Sequence, residues 1–404
     1  MTIYHAMALD RYHLVDGVLS EPLAGDVRHK PFAASSSGTW LHCAHSVLPP
    51  PTGRRPSGDA AKEGTAAHLL LSWILSHKAI GKRPPIPTKI QVGTYTLTVE
   101  TDLLQSLAAQ AHLWNSADEV WSESKVIPFP SFAEQCGGTA DLITWNAKDE
   151  ILHVIDFKYG RTRVEPHNNT QLMLYAMGAI RLLGKRPRLI RMSIWQPRVT
   201  SLAGEHGPVR TWEIEPGRFK QRIEPLLVAL QRAKQNPKQM ETGTWCRWCD
   251  HKPTCAAFQA RITATRKSQP VDSPKPTPEL MSQWGEWLPS IKAWVTQVES
   301  LLRDELLSGT ELTSVKLVTG AGRRRWKVSN SEVITFLQQH WPEIDGYQPR
   351  SPAQVESSIS KTERNLLSDI ITRGEPSQLL VPITDPRPAI GFTPGAEFPD
   401  DQEV

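Results

Sequence analysis

Residues 137–160, "GGTADLITWNAKDEILHVIDFKYG", limit the possible folds of this 404-residue chain more than any other stretch. Two apolar runs rich in β-branched residues flank the polar "NAKDE", which predicts a hairpin of two buried strands. The second strand is interrupted by charge, because Asp156 and Lys158 stand where burial should be complete. Side chains alternate faces along a strand, so positions 156 and 158 point the same way. A carboxylate and an ammonium held side by side on a rigid strand call for a chemical reason.

The elements around the hairpin set the fold class. In "AAKEGTAAHLLLSWILSHKAIG", Ala67, Leu70, Leu71, Ile74 and Leu75 recur at helical spacing, which predicts a helix over 60–78. A second helix is expected over 101–117, and "VWSESKVIPF" reads as a strand before the hairpin. "TQLMLYAMGAIRLLG" carries a helical stripe closed by Gly184, "RLIRMSIWQPR" reads as a strand, and 215–235 as a helix. The order helix, hairpin, strand, helix, strand describes an α/β core.

Proline and small polar residues replace any periodic pattern in "RKSQPVDSPKPTP", so 266–278 is expected to link two domains, 34–265 and 279–390. The second is expected to be α-rich, from the stripe Ile291, Trp294, Val295, Val298, Leu301, Leu302 and Leu306. Residues 1–33 form an extension of unread role, and 391–404 are expected to be a disordered tail.

Composition narrows the function classes. No run is long enough to cross a bilayer, and the first residues lack the charged start and apolar middle of a signal peptide, so a cytoplasmic protein is expected. A net charge of +4 is compatible with nucleic acid without demanding it. Five cysteines do not make a disulfide framework in a chain this long, and three of them lie within ten residues. That clustering points to metal or redox work.

The hairpin has a chemical reading once "GGTAD" is set beside "DFK". Asp141 and Asp156 lie on neighbouring strands, and a short reversal brings both carboxylates to one end of a curved sheet. Hard oxygen ligands of this kind suit Mg²⁺ or Mn²⁺. Phosphodiester cleavage needs a nucleophile made from water, neutralised charge at phosphorus and help for the departing oxygen. A divalent ion serves the first two, and Lys158 can orient or deprotonate the water or meet developing charge. An ordinary surface ion pair is the other reading of Asp156 and Lys158 alone. His68 is a further candidate ligand on the 60–78 helix, with a structural histidine as the alternative. Gln171 and Tyr175 stand one helical turn apart.

"EGTAAH", "GGTAD", "VIDFKYG" and "QLMLY", in that order, resemble the RecB-like branch of the PD-(D/E)xK nuclease superfamily. The resemblance implies a restriction-endonuclease-like core with a mixed central sheet flanked by helices, and a metal-dependent deoxyribonuclease, an exonuclease acting at DNA ends or in single strands. It makes His68 the first-motif histidine, Asp141 the metal-binding aspartate, Asp156 and Lys158 the signature pair, and Gln171 with Tyr175 the helix motif near DNA. Many superfamily members have glutamate at the position of Asp156, while aspartate is common in the RecB-like branch. A catalytically silent DNA-binding scaffold and a zinc-stabilised interaction module are the rival functions.

The spacing of Cys246, Cys249 and Cys255 lets three thiolates grip one metal, and Cys43 can supply a fourth if the N-terminal segment folds back. Spacing alone favours zinc, with His42, His45 or His251 able to replace a thiolate. One cysteine before the nuclease motifs and three after them resembles the iron-sulfur RecB-like nucleases, which implies a structural [4Fe-4S] cluster on Cys43, Cys246, Cys249 and Cys255. Cys136 stands apart as a small buried residue.

"SVKLVTGAGRRRW", "SPAQVE" and "DPRPAI" resemble the C-terminal region of a phage-associated family in which such a core carries a helical and basic appendage. That implies a phage- or prophage-encoded protein of DNA recombination or processing in a bacterial host, with DNA and a phage recombination or single-strand-binding protein as partners. A homo-oligomer fits the same picture. Arg323, Arg324, Arg325 and Lys327 flank Trp326, a set suited to hold phosphates and stack a base, or to form a solvated charged turn. Arg161 and Arg163 follow the signature strand and are better placed to meet the substrate backbone.

Overall fold

A mixed sheet of seven strands carries the acid-bearing hairpin in the computed structural model of the chain. The structure describes residues 2–5, 9–20, 30–52, 58–110, 112–199, 207–267, 276–321, 324–328, 330–342, 351–360, 362–374 and 377–390. Two units are distinguished, Met1–Trp294 and Val295–Val404.

In the first unit the sheet strands are β1 (Ile3–His5), β2 (Phe32–Ala33), β3 (Glu119–Val126), β4 (Cys136–Asn146), β5 (Ile151–Phe157), β6 (Leu189–Trp195) and β7 (Val209–Ile214). The order is β1-β3-β4-β5-β6-β7, with β2 beside the start of β4. The pairs β3–β4, β4–β5 and β6–β7 are antiparallel, while β5–β6 and β1–β3 are parallel. The expected hairpin is β4–β5. Residues expected to be a separate extension instead supply an edge strand, since Ile3, Tyr4 and His5 pair with Glu119, Val120 and Trp121.

Two apolar layers explain why β5 is buried from Leu152 to Phe157. On one face Leu152 and Val154 pack with Leu172, Met173, Ala176 and Ala179 of α2 (Thr170–Leu183) and with Phe219, Ile223 and Leu230 of α3 (Pro216–Gln235). On the other, Ile155 and Phe157 pack with Ala66, Ala67, Leu70 and Leu71 of α1 (Asp59–Ala79). A sheet covered on both sides loses the polar alternation of a one-sided strand. Gly178 lets α2 approach closely, because a Cβ there would lie 2.6 Å from Cβ of Val126. Gly184 closes α2 in the left-handed region, φ +61°.

A second, four-stranded sheet is built from His13–Val15, Val18–Ser20, Lys89–Val92 and Tyr95–Thr98. The helix expected over 101–117 is two helices, Thr101–Ala109 and His112–Asn115. The ends of the expected linker are also helical, in Ala256–Lys267 and Pro278–Leu307, while 268–275 lie outside the described residues. The unit boundary falls inside the long helix, since Trp287, Ile291 and Trp294 pack with Phe258 and Cys246 of the first unit.

The second unit sets short paired strands among its helices. Val315–Gly320 pairs with Ser377–Pro382, and Arg324–Trp326 with Ile371–Arg373. Its core is Val333, Leu337, Trp341, Val355 and Leu367, and Trp326 packs against it. The segment expected as a charged turn or stacking platform is therefore a strand whose tryptophan faces apolar neighbours. Arg324 pairs with Glu356, Arg325 is exposed, and Arg323 and the tail 391–404 lie outside the described residues. Among the described residues no helix is long and apolar enough to cross a membrane.

Candidate functional site

The β4–β5 ladder stops at Leu142 and Ile155, one position short of Asp141 and Asp156. There Asp141 takes over from the backbone, its Oδ2 accepting the Phe157 amide N–H at 2.8 Å. On the other side, the Lys158 N–H donates to the Trp195 carbonyl at 2.8 Å and extends the pairing with β6 past the end of β5. With the pleat preserved, Lys158 Nζ reaches back to Asp156, 2.9 Å from Oδ2 and 3.1 Å from Oδ1.

Helices α1 and α2 complete the cluster. Asn169 caps α2, its side chain accepting the Leu172 N–H at 3.1 Å, and so fixes the first turn where Gln171 stands. Gln171 Nε2 donates to Asp156 Oδ1 at 3.1 Å and to the Tyr175 hydroxyl at 3.2 Å, and its Oε1 accepts from Lys158 at 3.4 Å. From α1, His68 Nδ1 comes within 3.3 Å of Asp141 Oδ1, with its ring set edge-on to Phe157. The structure thus brings together His68, Asp141, Asp156, Lys158, Gln171 and Tyr175.

Glu123 on β3 joins them and was not read from the sequence. Strand alternation turns it away from its buried neighbours Val120 and Ser122. The ladder to β4 skips the Glu123–Asp141 position, and Glu123 adopts φ +49°, uncommon for a residue with a Cβ. That local departure from extended geometry leaves no trace in an apolar pattern. Among the described residues, His68, Glu123 and Asp141 are the group that brings three ligand atoms within 4.8 Å of one another.

The electrostatics are those of charges removed from water. Burial opposes the Lys158 ammonium, but Asp156 and Asp141 outweigh it and hold its pKa above the ordinary value. Burial also disfavours the Asp156 carboxylate, which is pushed up to about 6 despite Lys158, with Asp141 adding to the rise. Asp141 goes the other way: burial would raise it, yet His68 and Lys158 bring it down. For His68, burial is overcome by Asp141 and the imidazole rises to about 9. Two acids with environments that push them apart divide the labour of ionisation.

A divalent cation fits this donor set. Asp156 Oδ2 is fully enclosed and, apart from the ammonium beside it, has no aligned hydrogen bond. That oxygen, beside two further carboxylates, has a coordination position open to a cation, and an ion entering there would displace the proton that His68 holds. Oxygen and imidazole donors suit Mg²⁺ or Mn²⁺; Asp141, Glu123 and His68 are the residues whose ligand atoms come together to hold the ion, and Asp156 stands beside them outside that 4.8 Å group.

The site opens into a cleft of about 900 Å³ lined by Lys158, Gln171, Asn168, Asn169, Ser35–Thr39, Trp245, Arg247 and Trp248. Arg161 is exposed after β5, and Arg163 pairs with Glu165. Sequence reading also passed over Arg198, which bonds Glu63 of α1 at 2.7 Å and lies over the Tyr159 ring at 4.6 Å.

The N-terminal segment does fold back to the cysteine loop. Cys43 Sγ accepts the Glu241 N–H at 3.5 Å, the His45 N–H donates to Gln239 at 3.0 Å, and His251 bonds the Leu48 carbonyl at 2.9 Å. Burial raises the Cys246 thiol, and Cys43 and Cys255 raise it further. Burial pushes Cys249 up to about 11, again with Cys43 contributing. These thiols feel one another, yet no three of their sulfurs come within 4.8 Å. The four thiols are therefore not gathered as the ligands of one metal centre. Cys136 is separate and buried, its thiol raised to about 12 by burial.

Residues 29–388 match the model of a family described as "Protein of unknown function (DUF2800)". A solved structure of an alkaline exonuclease (LHK-Exo) from Laribacter hongkongensis is similar over 52% of this chain and 91% of its own, at 11% identity and a TM-score of 0.25. The complex of LHK-Exo with dAMP gives 52%, 90%, 11% and 0.24.

Proposed function

We propose, from the premise that this chain belongs to the DUF2800 family, that it is a metal-dependent deoxyribonuclease. The observation that carries the reading is the convergence of His68, Glu123 and Asp141 beside a buried Asp156–Lys158 pair whose Oδ2 has no aligned hydrogen bond. The motif resemblance to RecB-like nucleases supports the same reading.

When bound, a Mg²⁺ or Mn²⁺ ion supplies Lewis acidity toward a phosphoryl oxygen and acidifies a water. Asp141 and Asp156 hold the ion, with Glu123 and His68 completing the donor set. Gln171 orients the Asp156 carboxylate and is itself fixed by Tyr175. Lys158 holds its proton in the resting site and meets the negative charge that develops as the phosphodiester is attacked, or orients the attacking water. Arg161 and Arg163 meet substrate phosphates, and Arg323, Arg324 and Arg325 offer a second basic stretch.

The finer reading is an exonuclease working at DNA ends or in single strands during phage or prophage DNA processing. Cys43, Cys246, Cys249 and Cys255 hold a structural [4Fe-4S] cluster in this reading. It is supported by the motif resemblance and by the fold-back that brings Cys43 to Glu241 beside the cysteine loop. Purified protein is mixed with labelled linear DNA and Mn²⁺, and wild type is compared with Lys158→Ala. Hydrolysis confined to wild type supports the assignment, and equal degradation by both removes it.

A further inference from the structure

The cysteine loop carries a feature that metal binding does not explain. Trp248, between Cys246 and Cys249, is 63% exposed, which is rare for a residue of its size. Arg247 lies over its ring at 4.6 Å. Three residues back, Trp245 stacks on His42 with centroids 4.3 Å apart and planes 13° from parallel. The Trp245 indole N–H is fixed to the Glu241 carbonyl at 3.2 Å, and Gly243 packs against its ring.

These rings line the same cleft as Lys158 and Gln171. Trp248 also borders a neighbouring cavity, shared with Lys30 and Ser46. The rest of the cleft mixes hydroxyl and amide groups of Ser35, Ser37, Thr39, Asn168 and Thr170 with Val164, Pro289 and the Glu286 carboxylate. Planar rings with an adjoining guanidinium, in a groove that leads to an ammonium, fit a chain of flat bases joined by phosphates.

We propose that Trp248 with Arg247, and Trp245 with His42, form a stacking platform for unpaired bases, so that the cleft takes single-stranded DNA. Bases inside a duplex are stacked on one another and cannot present their faces to these rings. The platform rests on the nuclease reading for the identity of the polymer and adds the strand state that the site selects.

The test measures binding by fluorescence anisotropy with the full-length protein in divalent-free buffer. The probes are labelled oligothymidine, an abasic oligomer of equal length and a duplex. Wild type is expected to bind oligothymidine about 5- to 100-fold more tightly than the abasic oligomer, the range set by stacking of one base. Trp248→Ala is expected to lose most of that difference while its abasic affinity holds, and Trp248→Phe to keep it. Equal wild-type affinity for base-bearing and abasic strands overturns the proposal. So does a Trp248→Ala protein that retains the full difference, or that weakens on both strands alike. Should Trp248→Ala fail to fold, the wild-type comparison and Trp248→Phe decide. Hydrolysis in Mn²⁺ is scored separately: a wild type that cuts DNA without base dependence sinks the platform alone, and a base-dependent binder that cuts nothing sinks the nuclease alone.

Discussion

Asp141 Oδ2 accepts the Phe157 amide N–H at 2.8 Å while Asp141 Oδ1 faces His68 at 3.3 Å, so one carboxylate joins the end of a β-ladder to a helix. The backbone pairing has already stopped at Leu142 and Ile155. The strands can open there without stranding a buried N–H, and the space gained is where the ligand atoms meet.

Asp141 therefore has two separable duties. Asp141→Asn keeps an acceptor for Phe157 but removes the charge. It is expected to lose Mn²⁺-dependent cleavage by ~100-fold or more with little change in stability. Asp141→Ala abandons the N–H as well and is expected to cost an additional ~1–3 kcal/mol. Cleavage assays paired with urea unfolding separate the two effects.

Glu123 offers a cleaner dissection because its backbone is left-handed at φ +49°. Glu123→Gly and Glu123→Ala remove the same carboxylate and differ in the backbone. Glycine is expected to be more stable than alanine there by about 1 kcal/mol. Both are expected to weaken Mn²⁺ binding at least ~10-fold, since the loss of a residue that only supports a ligand already does so. Equal stability of the two variants would argue against the left-handed geometry.

His153 supplies a pH dependence away from the acids. It is buried, bonded through Nε2 to Ser193 Oγ at 2.7 Å, and lowered to about 3 by burial with Arg191 adding to the fall. The unfolded chain takes up a proton near the ordinary histidine value of 6.5, whereas the fold refuses it until about 3. Stability is thus present above 6.5 and is lost as pH falls through that window, by about 2 kcal/mol at pH ~5. Asp156, raised to about 6, works in the opposite sense. The difference between wild type and His153→Gln in urea midpoints at neutral and acidic pH isolates the histidine. An identical pH slope for both would count against it.

Gly178→Ala tests the packing that sets Gln171. The new Cβ would sit 2.6 Å from Val126 Cβ and 3.1 Å from the Ile127 nitrogen, neither the end of a flexible side chain. The helix must shift outward, at an expected cost of about 1–3 kcal/mol. Cleavage should fall alongside stability, because Gln171 rides on the same helix. A variant of unchanged stability would show that the helix has room.

The site was legible wherever chemistry interrupted a regular pattern. Asp156 and Lys158 broke an apolar strand at pleat spacing, and the structure sets their charges together. Asp141 was legible through the hairpin, and His68 as a polar residue on an apolar helix. Glu123 was not, because its conformation depends on a skipped ladder position that no alternation predicts. The edge strand Ile3–His5 was missed for a related reason: three residues carry too short a pattern to separate from loop. Trp326, read among basic neighbours as a ring for stacking, is partly buried against the core of the second unit.

The central claim is that Asp141 and Asp156 share a divalent cation under the reach of Lys158. Anomalous diffraction from crystals soaked in Mn²⁺ tests it most directly. The account predicts a manganese peak in coordination contact with both carboxylates and with Glu123 or His68. A protein saturated with Mn²⁺ whose peak lies elsewhere, or is absent from this hollow, would contradict it.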